Sequence, residues 1–247
     1  MRCLLAIDDT DNLESRGTGS RARELGARLG EAGFGRVRGI TRHQLYVHPS
    51  IPYTSHNSSA CLDLDLADGR TVEALADFGR DYLAEASAEG SDAGLCVARY
   101  DEIDETLLEW GRQAKRIVLT RERAHELAAE RGVHLEGVTG TRIGVIGALA
   151  AVGLRRGGHD GRFLWLKGVR ELTGTWTVGA LLASTDIDAV ESIDGQPLAP
   201  ESEVVVDPWP RPVLLHGRAV LLTEPNGDEK NGSSGWRLLP KETIRRY

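Results

Sequence analysis

Three carboxylates within four residues, Asp8, Asp9 and Asp11, follow directly on the apolar run Cys3-Leu4-Leu5-Ala6-Ile7. Like charges this close raise one another's pKa values, so the cluster is costly unless it is solvated, hydrogen-bonded or metal-bound. Magnesium meets that need, because it takes one or two carboxylates together with the phosphates of a substrate. A little further on, Gly17-Thr18-Gly19-Ser20-Arg21 opens a helical run to about Glu31. A glycine-rich entry to a helix presents backbone N–H groups and the positive end of the dipole to an anion. Carboxylates for a metal beside a nest for phosphates are the layout of a nucleotide site. The same Asp-rich loop also reads as a solvated turn with Asx hydrogen bonds and a helix cap. It is not a Walker A loop, since no Gly-Lys-Ser/Thr follows.

Two further stretches carry donors or close turns. Thr54-Ser55-His56-Asn57-Ser58-Ser59 is an unbroken polar run after the proline-bounded Pro49-Ser50-Ile51-Pro52-Tyr53. It reads either as a surface loop or as a second set of hydroxyl and amide donors facing the ligand of the Asp cluster, with Asn57 and Ser58 as contacts. The run from Gly140 to Gly153, with Arg142 at its entry, reads as a loop opening a tightly packed helix. Its glycines serve either close packing or anion binding, and their spacing is not that of a dinucleotide fingerprint. His43, His48 and His56 do not form a recognised metal-ligand pattern.

The elements that must hold these residues follow from periodicity and punctuation. Residues 2–8 read as a buried strand and 18–32 as an amphipathic helix stopped at Gly33-Phe34-Gly35. Strands are expected over 37–47, 60–66 and 94–98, with helices over 71–88 and 102–113. Thr120 caps a helix over 121–131 that Gly132 closes. A short strand is expected over 117–119. Beyond the glycine-rich helix, strands are expected at 161–167, 171–176, 188–193 and 213–222, the last broken at His216-Gly217. The stretch 178–183 reads as a short helix or a strand. Residues 197–212 read as a proline-rich loop, and 224–235 as a mobile tail.

Composition narrows the classes. The chain has 247 residues, enough for one large or two small domains, and a net charge of −7, which argues against a general electrostatic grip on nucleic acid. Of its 30 basic residues only Lys115, Lys167, Lys230 and Lys241 are lysine. Cys3, Cys61 and Cys96 are far apart and contain no Cys-x-x-Cys pair, so neither a zinc ribbon nor a disulfide framework is indicated. No signal peptide or membrane-length apolar run is visible, and a reducing cytoplasm is the expected setting.

Ile7-Asp8-Asp9-Thr10-Asp11, the glycine-started helix turn, the Pro49–Tyr53 loop with its polar continuation, and Gly140-Thr141-Arg142-Ile143-Gly144-Val145-Ile146-Gly147-Ala148-Leu149-Ala150-Ala151-Val152-Gly153 occur in that order. Together they resemble the isoleucine-tRNA agmatinylcytidine synthetases over roughly residues 1–215. Those enzymes use ATP to activate the ring carbonyl of a wobble cytidine, which agmatine then attacks. The resemblance implies an α/β (α+β) architecture: a kinase-like ATP/Mg-binding domain over 1–115, a ferredoxin-like domain over 116–212, and a C-terminal strand and tail over 213–247. It implies the catalytic core without the OB-fold and zinc ribbon that hold tRNA. It also assigns Asp8, Asp9 and Asp11 to the metal, with Ser20 beside them in catalysis. Gly17, Thr18, Gly19, Ser20, Arg21, Asn57, Ser58 and Arg142 fall to the nucleotide.

The motifs also depart from the family's pattern. Where the family has Gly-x-Cys-Thr-Thr, this chain has Gly17-Thr18-Gly19-Ser20-Arg21. Where it has Lys-Thr-Arg-Gly-Asn-Gly-Ala after Ile-Pro-Tyr, Thr54 falls on the Lys and His56 on the Arg. Losing two permanent cations beside a polyphosphate weakens stabilisation of a phosphoryl transition state. Two functions follow: an Mg2+-dependent, ATP-using enzyme that transfers a phosphoryl group to an oxygen of a tRNA cytidine or a small molecule, or a nucleotide-binding regulatory protein that kept the fold without catalysis.

Overall fold

The computed structural model describes every residue except Ser55, Pro208, 228–234 and Arg246. Most of the expected mobile tail, 228–234, and Ser55 of the polar run therefore lie outside the described residues. The chain is mixed α/β and forms two compact units, Met1–Gly157 and Gly158–Tyr247.

The first unit runs β1 (Arg2–Asp8), α1 (Thr18–Glu31), β2 (Gly35–Gln44), β3 (Ser58–Leu66), α2 (Val72–Ala86), β4 (Gly94–Arg99), α3 (Glu105–Gln113), α4 (Arg121–Arg131), β5 (His134–Gly137) and α5 (Val145–Gly157). Its strands lie in the order β5-β4-β1-β3-β2. Neighbours are antiparallel throughout. Helices cover both faces. Leu4 and Ala6 of β1 join Leu107, Trp110 and the α5 residues Ala148 and Leu149 in one core. Leu5, on the opposite face, lies against Gly79 of α2. A strand buried on both sides needs apolar residues at successive positions rather than alternate ones. That is why β1 reads as a continuous apolar run, and why its first polar side chain after that run, Asp8, marks the strand's end.

Helix ends follow local chemistry. Thr71, Asp104 and Thr120 each accept a backbone N–H of the turn they precede. Gly132 closes α4 in the left-handed conformation, φ 64°, which a side chain at that position would disfavour. The α1 stop at Gly33-Phe34 is made by Phe34 N–H donating to Leu29 O and Gly33 N–H to Gly30 O. The three cysteines are free and buried, so they act as small apolar side chains.

The expected strand at 117–119 is instead turn and loop. Ile117 and Val118 are about half exposed (50% and 45%), so their apolar character serves a surface other than a sheet interior. Strand β5 is half-buried and pairs with β4.

The second unit contains β6 (Arg162–Trp165), β7 (Thr175–Thr177), α6 (Val178–Ser184), β8 (Ala189–Ser192), β9 (Glu203–Val205), β10 (Val213–Leu215), β11 (Arg218–Pro225), β12 (Trp236–Leu238) and α7 (Lys241–Ile244). The β10–β11 hairpin turns at His216-Gly217, both at positive φ (52° and 72°), as the sequence break there predicts. The strand expected from 171 begins only at Thr175, because Gly174, at φ 80°, turns the chain just before it. Strand β9 falls inside the expected proline-rich loop, where three residues are too few to show a period. Phe163, Val178, Leu181, Val190, Val204, Leu214 and Leu221 fill this unit's main core.

Candidate active site

Asp8 ends β1 and is nearly buried, with 9% exposure. Burial, and after it the charge of Asp9, holds its carboxyl well above the usual range; the Asp9 N–H offsets part of this and Asp11 adds to it. Among the described residues no cation pairs with Asp8 or Asp9. Asp9 is pushed up to about 6 by burial, then by Asp92 and Asp11. Its backbone sits at φ 53°, a conformation uncommon outside glycine and found at functional turns.

Asp11 is satisfied differently. Its Oδ1 accepts the Thr18 hydroxyl at 2.7 Å and the Thr18 N–H at 3.3 Å, and its Oδ2 accepts the Thr54 hydroxyl at 2.9 Å. It therefore ties the Asp loop to the first turn of α1 and to the polar 54–59 loop. An acidic group at a helix N-terminus is favourable. Thr18 Oγ1 also accepts from the Thr10 hydroxyl at 3.1 Å.

Helix α5 supplies the opposite wall. A Cβ at Gly147 would overlap Asp8 Oδ2, and one at Gly144 would crowd Asp8 O and Gly94 N. The absence of side chains here lets the helix start against the end of β1. The small-residue run Gly147-Ala148-Leu149-Ala150-Ala151 thus serves close packing, and Gly153 lies equally close to Leu107 O of α3.

These elements enclose a cleft of about 780 Å3, counting the part open to solvent. Asp8, Asp9, Asp11 and Thr18 line one side, with Thr54, His56, Asn57 and Ser58 beside them. Ile51, Pro52, Tyr53, Ile117, Val118 and Leu119 make an apolar wall. No Lys or Arg is among the described lining residues.

The structure brings together Asp8, Asp9, Asp11, Thr18, Asn57 and Ser58. Asn57 Nδ2 donates to Tyr46 O at 2.6 Å, which holds the loop's shape. Gly17, Gly19, Ser20 and Arg21 lie on the first turn of α1 beside Thr18 but do not line the cleft. Arg21 instead pairs with Glu24 at 3.4 Å. Arg142 is exposed, at φ 66°, and does not line it either. The 117–119 wall and the face of Gly147 were missing from the expected site. The apolar run Ile117-Val118-Leu119 between two helices was the available signal.

Magnesium is the ion the resemblance implies. Among the described residues no three His, Cys, Asp or Glu side chains are grouped as a complete metal cage. Mg2+ does not require one, since one or two carboxylates with substrate phosphates suffice. Asp8 fits that role, as a buried carboxylate without a cationic partner, and Asp9 adjoins it.

The fold has solved relatives. A crystal structure of apo TiaS, a tRNA agmatidine synthetase, superposes with TM-score 0.53 at 25% identity over 62% of this chain. The complex of TiaS with its isoleucine tRNA and ATP gives 0.54 at 26% over the same share, and the complex with tRNA, AMPCPP and agmatine gives 0.53 at 26%. The chain resembles the catalytic core of the isoleucine-tRNA agmatinylcytidine synthetases. It spans 35–36% of the TiaS chains' length. No family model matches the sequence, and no curated protein matches it. Thr54, which the resemblance sets on the family's Lys, donates its hydroxyl to Asp11.

Proposed function

We propose that the cleft binds Mg–ATP and that the protein transfers a phosphoryl group to an oxygen of an acceptor, a tRNA cytidine or a small molecule. The observation that carries this reading is Asp8: a buried carboxylate with no cationic partner among the described residues, at a strand end, lining the cleft. The likeness to TiaS chains crystallised with ATP and tRNA supports it. Asp8 and Asp9 hold the metal. Mg2+ bound there would offset phosphate charge during transfer. Asp11 keeps Thr18, the one residue of the first α1 turn that lines the cleft, in register with the 54–58 loop. Ile51, Tyr53 and Ile117–Leu119 exclude water from one side of the ligand. On this reading the kinase-like domain expected over 1–115 shares its ATP site with residues 117–147 from the segment expected to be ferredoxin-like.

A second reading is favoured by the absence of Lys and Arg from the described lining: a nucleotide-binding protein without catalysis. Calorimetry with ATP, with and without Mg2+, followed by product analysis, separates them. Mg2+-dependent binding with formation of ADP and a phosphorylated acceptor supports the enzyme. Binding without turnover, across an acceptor screen that includes tRNA, supports the second reading. No binding in either condition overturns both.

A further inference from the structure

We propose that the second unit carries a docking surface for single-stranded nucleic acid, built from Trp209 and the guanidinium groups of Arg162, Arg170, Arg211 and Arg245. It goes beyond the nucleotide reading and uses none of the cleft's residues.

Elsewhere the arginines of this acidic chain are commonly matched to carboxylates, as with Arg28 and Glu85 or Arg112 and Glu105. Among the described residues, these four have no ion pair. Arg211 and Arg170 lie over the Trp209 ring, with guanidinium carbons 4.5 and 5.2 Å from its centroid. The indole remains 38% exposed. Arg162 is half-buried on β6, opposite Val213 of β10, two residues beyond Arg211. The Tyr247 carbonyl accepts the Gly161 N–H at 2.7 Å, which brings the end of α7, and Arg245 with it, to the start of β6. Burial, and then the charges of Arg245 and Arg211, hold Arg162 below its ordinary pKa; no carboxylate is among the charges acting on it.

Guanidinium groups gathered with no ion pair among the described residues favour an anion. A free phosphate would leave the indole unexplained. Guanidinium groups placed on and around an exposed aromatic face suit a phosphodiester chain with an unstacked base, through charge-assisted contacts and stacking. Pro210 and Pro212 flank Arg211 and restrict its backbone, so less order is lost on binding.

The test is fluorescence anisotropy of the full chain with labelled single-stranded RNA of about 12 nucleotides, and DNA of the same sequence. It is run without ATP or Mg2+, so failure of the nucleotide reading leaves it untouched. Binding should weaken about tenfold in Trp209→Ala. Arg211→Gln and Arg245→Gln should each flatten the log–log salt slope by about 0.7. If Trp209→Ala does not fold, Arg170→Gln, an exposed position, should show the same loss of slope. Tighter RNA than DNA binding would identify the 2′-hydroxyl as part of the contact, and equal binding would support backbone and base contacts alone. Absence of binding at low salt, binding that every variant retains, or variant-sensitive binding to phosphatidylserine vesicles with none to oligonucleotides would overturn the proposal.

Discussion

Two aspartates show how burial is resolved in opposite ways. Asp63 of β3 is fully buried, and burial alone would raise its pKa. Arg2, at 2.7 Å, and Arg155 of α5, at 2.8 Å, reverse that and lower it. Asp63→Ala strands two guanidinium groups, one of them buried, and should cost about 3–5 kcal/mol in urea unfolding at neutral pH. Because the folded pKa is depressed, the stabilisation is present above the unfolded value of about 3.9 and is lost as pH falls through the folded one. The gap between wild type and variant should therefore narrow in acid, and a gap independent of pH would sink the ion-pair account. Asp8 has burial without the cation. Asp8→Asn should abolish Mg2+-dependent ATP binding by calorimetry while leaving Tm unchanged or higher, since it removes a buried charge. A variant that unfolds, or binds Mg–ATP normally, would remove Asp8 from the site.

At the scale of elements, α5 decides the site. Its first turn meets Asp8 at Gly147, and its last turn sends Arg155 to Asp63, so one helix both shapes the cleft and is held across the sheet. Gly147→Ala should displace the Asp8 carboxylate and cost about 1–3 kcal/mol through overpacking, with weaker nucleotide binding than its stability loss explains. Thermal unfolding and calorimetry on the same variant check this; Ala tolerated in both would mean that α5 can shift freely. The 54–58 loop is the other element that matters. Thr54→Lys would set a cation beside Asp11 and the phosphate path. We expect ATP affinity to rise about tenfold, the scale of one hydrogen bond to a charged group. An unchanged affinity would mean that the polyphosphate does not pass this loop.

Across the whole molecule, charge is distributed by unit. The first gathers carboxylates at its cleft and the second gathers unpaired arginines around Trp209. Among the described residues no helix is long and apolar enough to cross a membrane. Much of this was legible from residue order. The apolar run before Asp8 announced a buried strand, and the structure covers it on both faces. Thr120 and Gly132 marked both ends of α4, because caps act over a single turn. The Asp triplet and the polar loop identified the lining from β1 and β3, and the ordered motifs identified the TiaS likeness. Other features depend on distance through space. Ile117–Leu119 reads as a strand because apolarity does not reveal whether a segment meets a sheet or a ligand cleft. Asp11, read as a metal ligand, has both oxygens engaged by Thr18 and Thr54, one of them 43 residues away. Arg21 and Arg142 are basic residues near the motifs that do not line the cleft, and Gly147 shows its purpose only against Asp8. Local sequence determined which segments become strands, helices and caps, since those energies act over a few residues. Which carboxylate is left without a cation, and which arginines are left without an acid, was decided by tertiary packing, because burial and pairing are set by chain segments far apart in sequence.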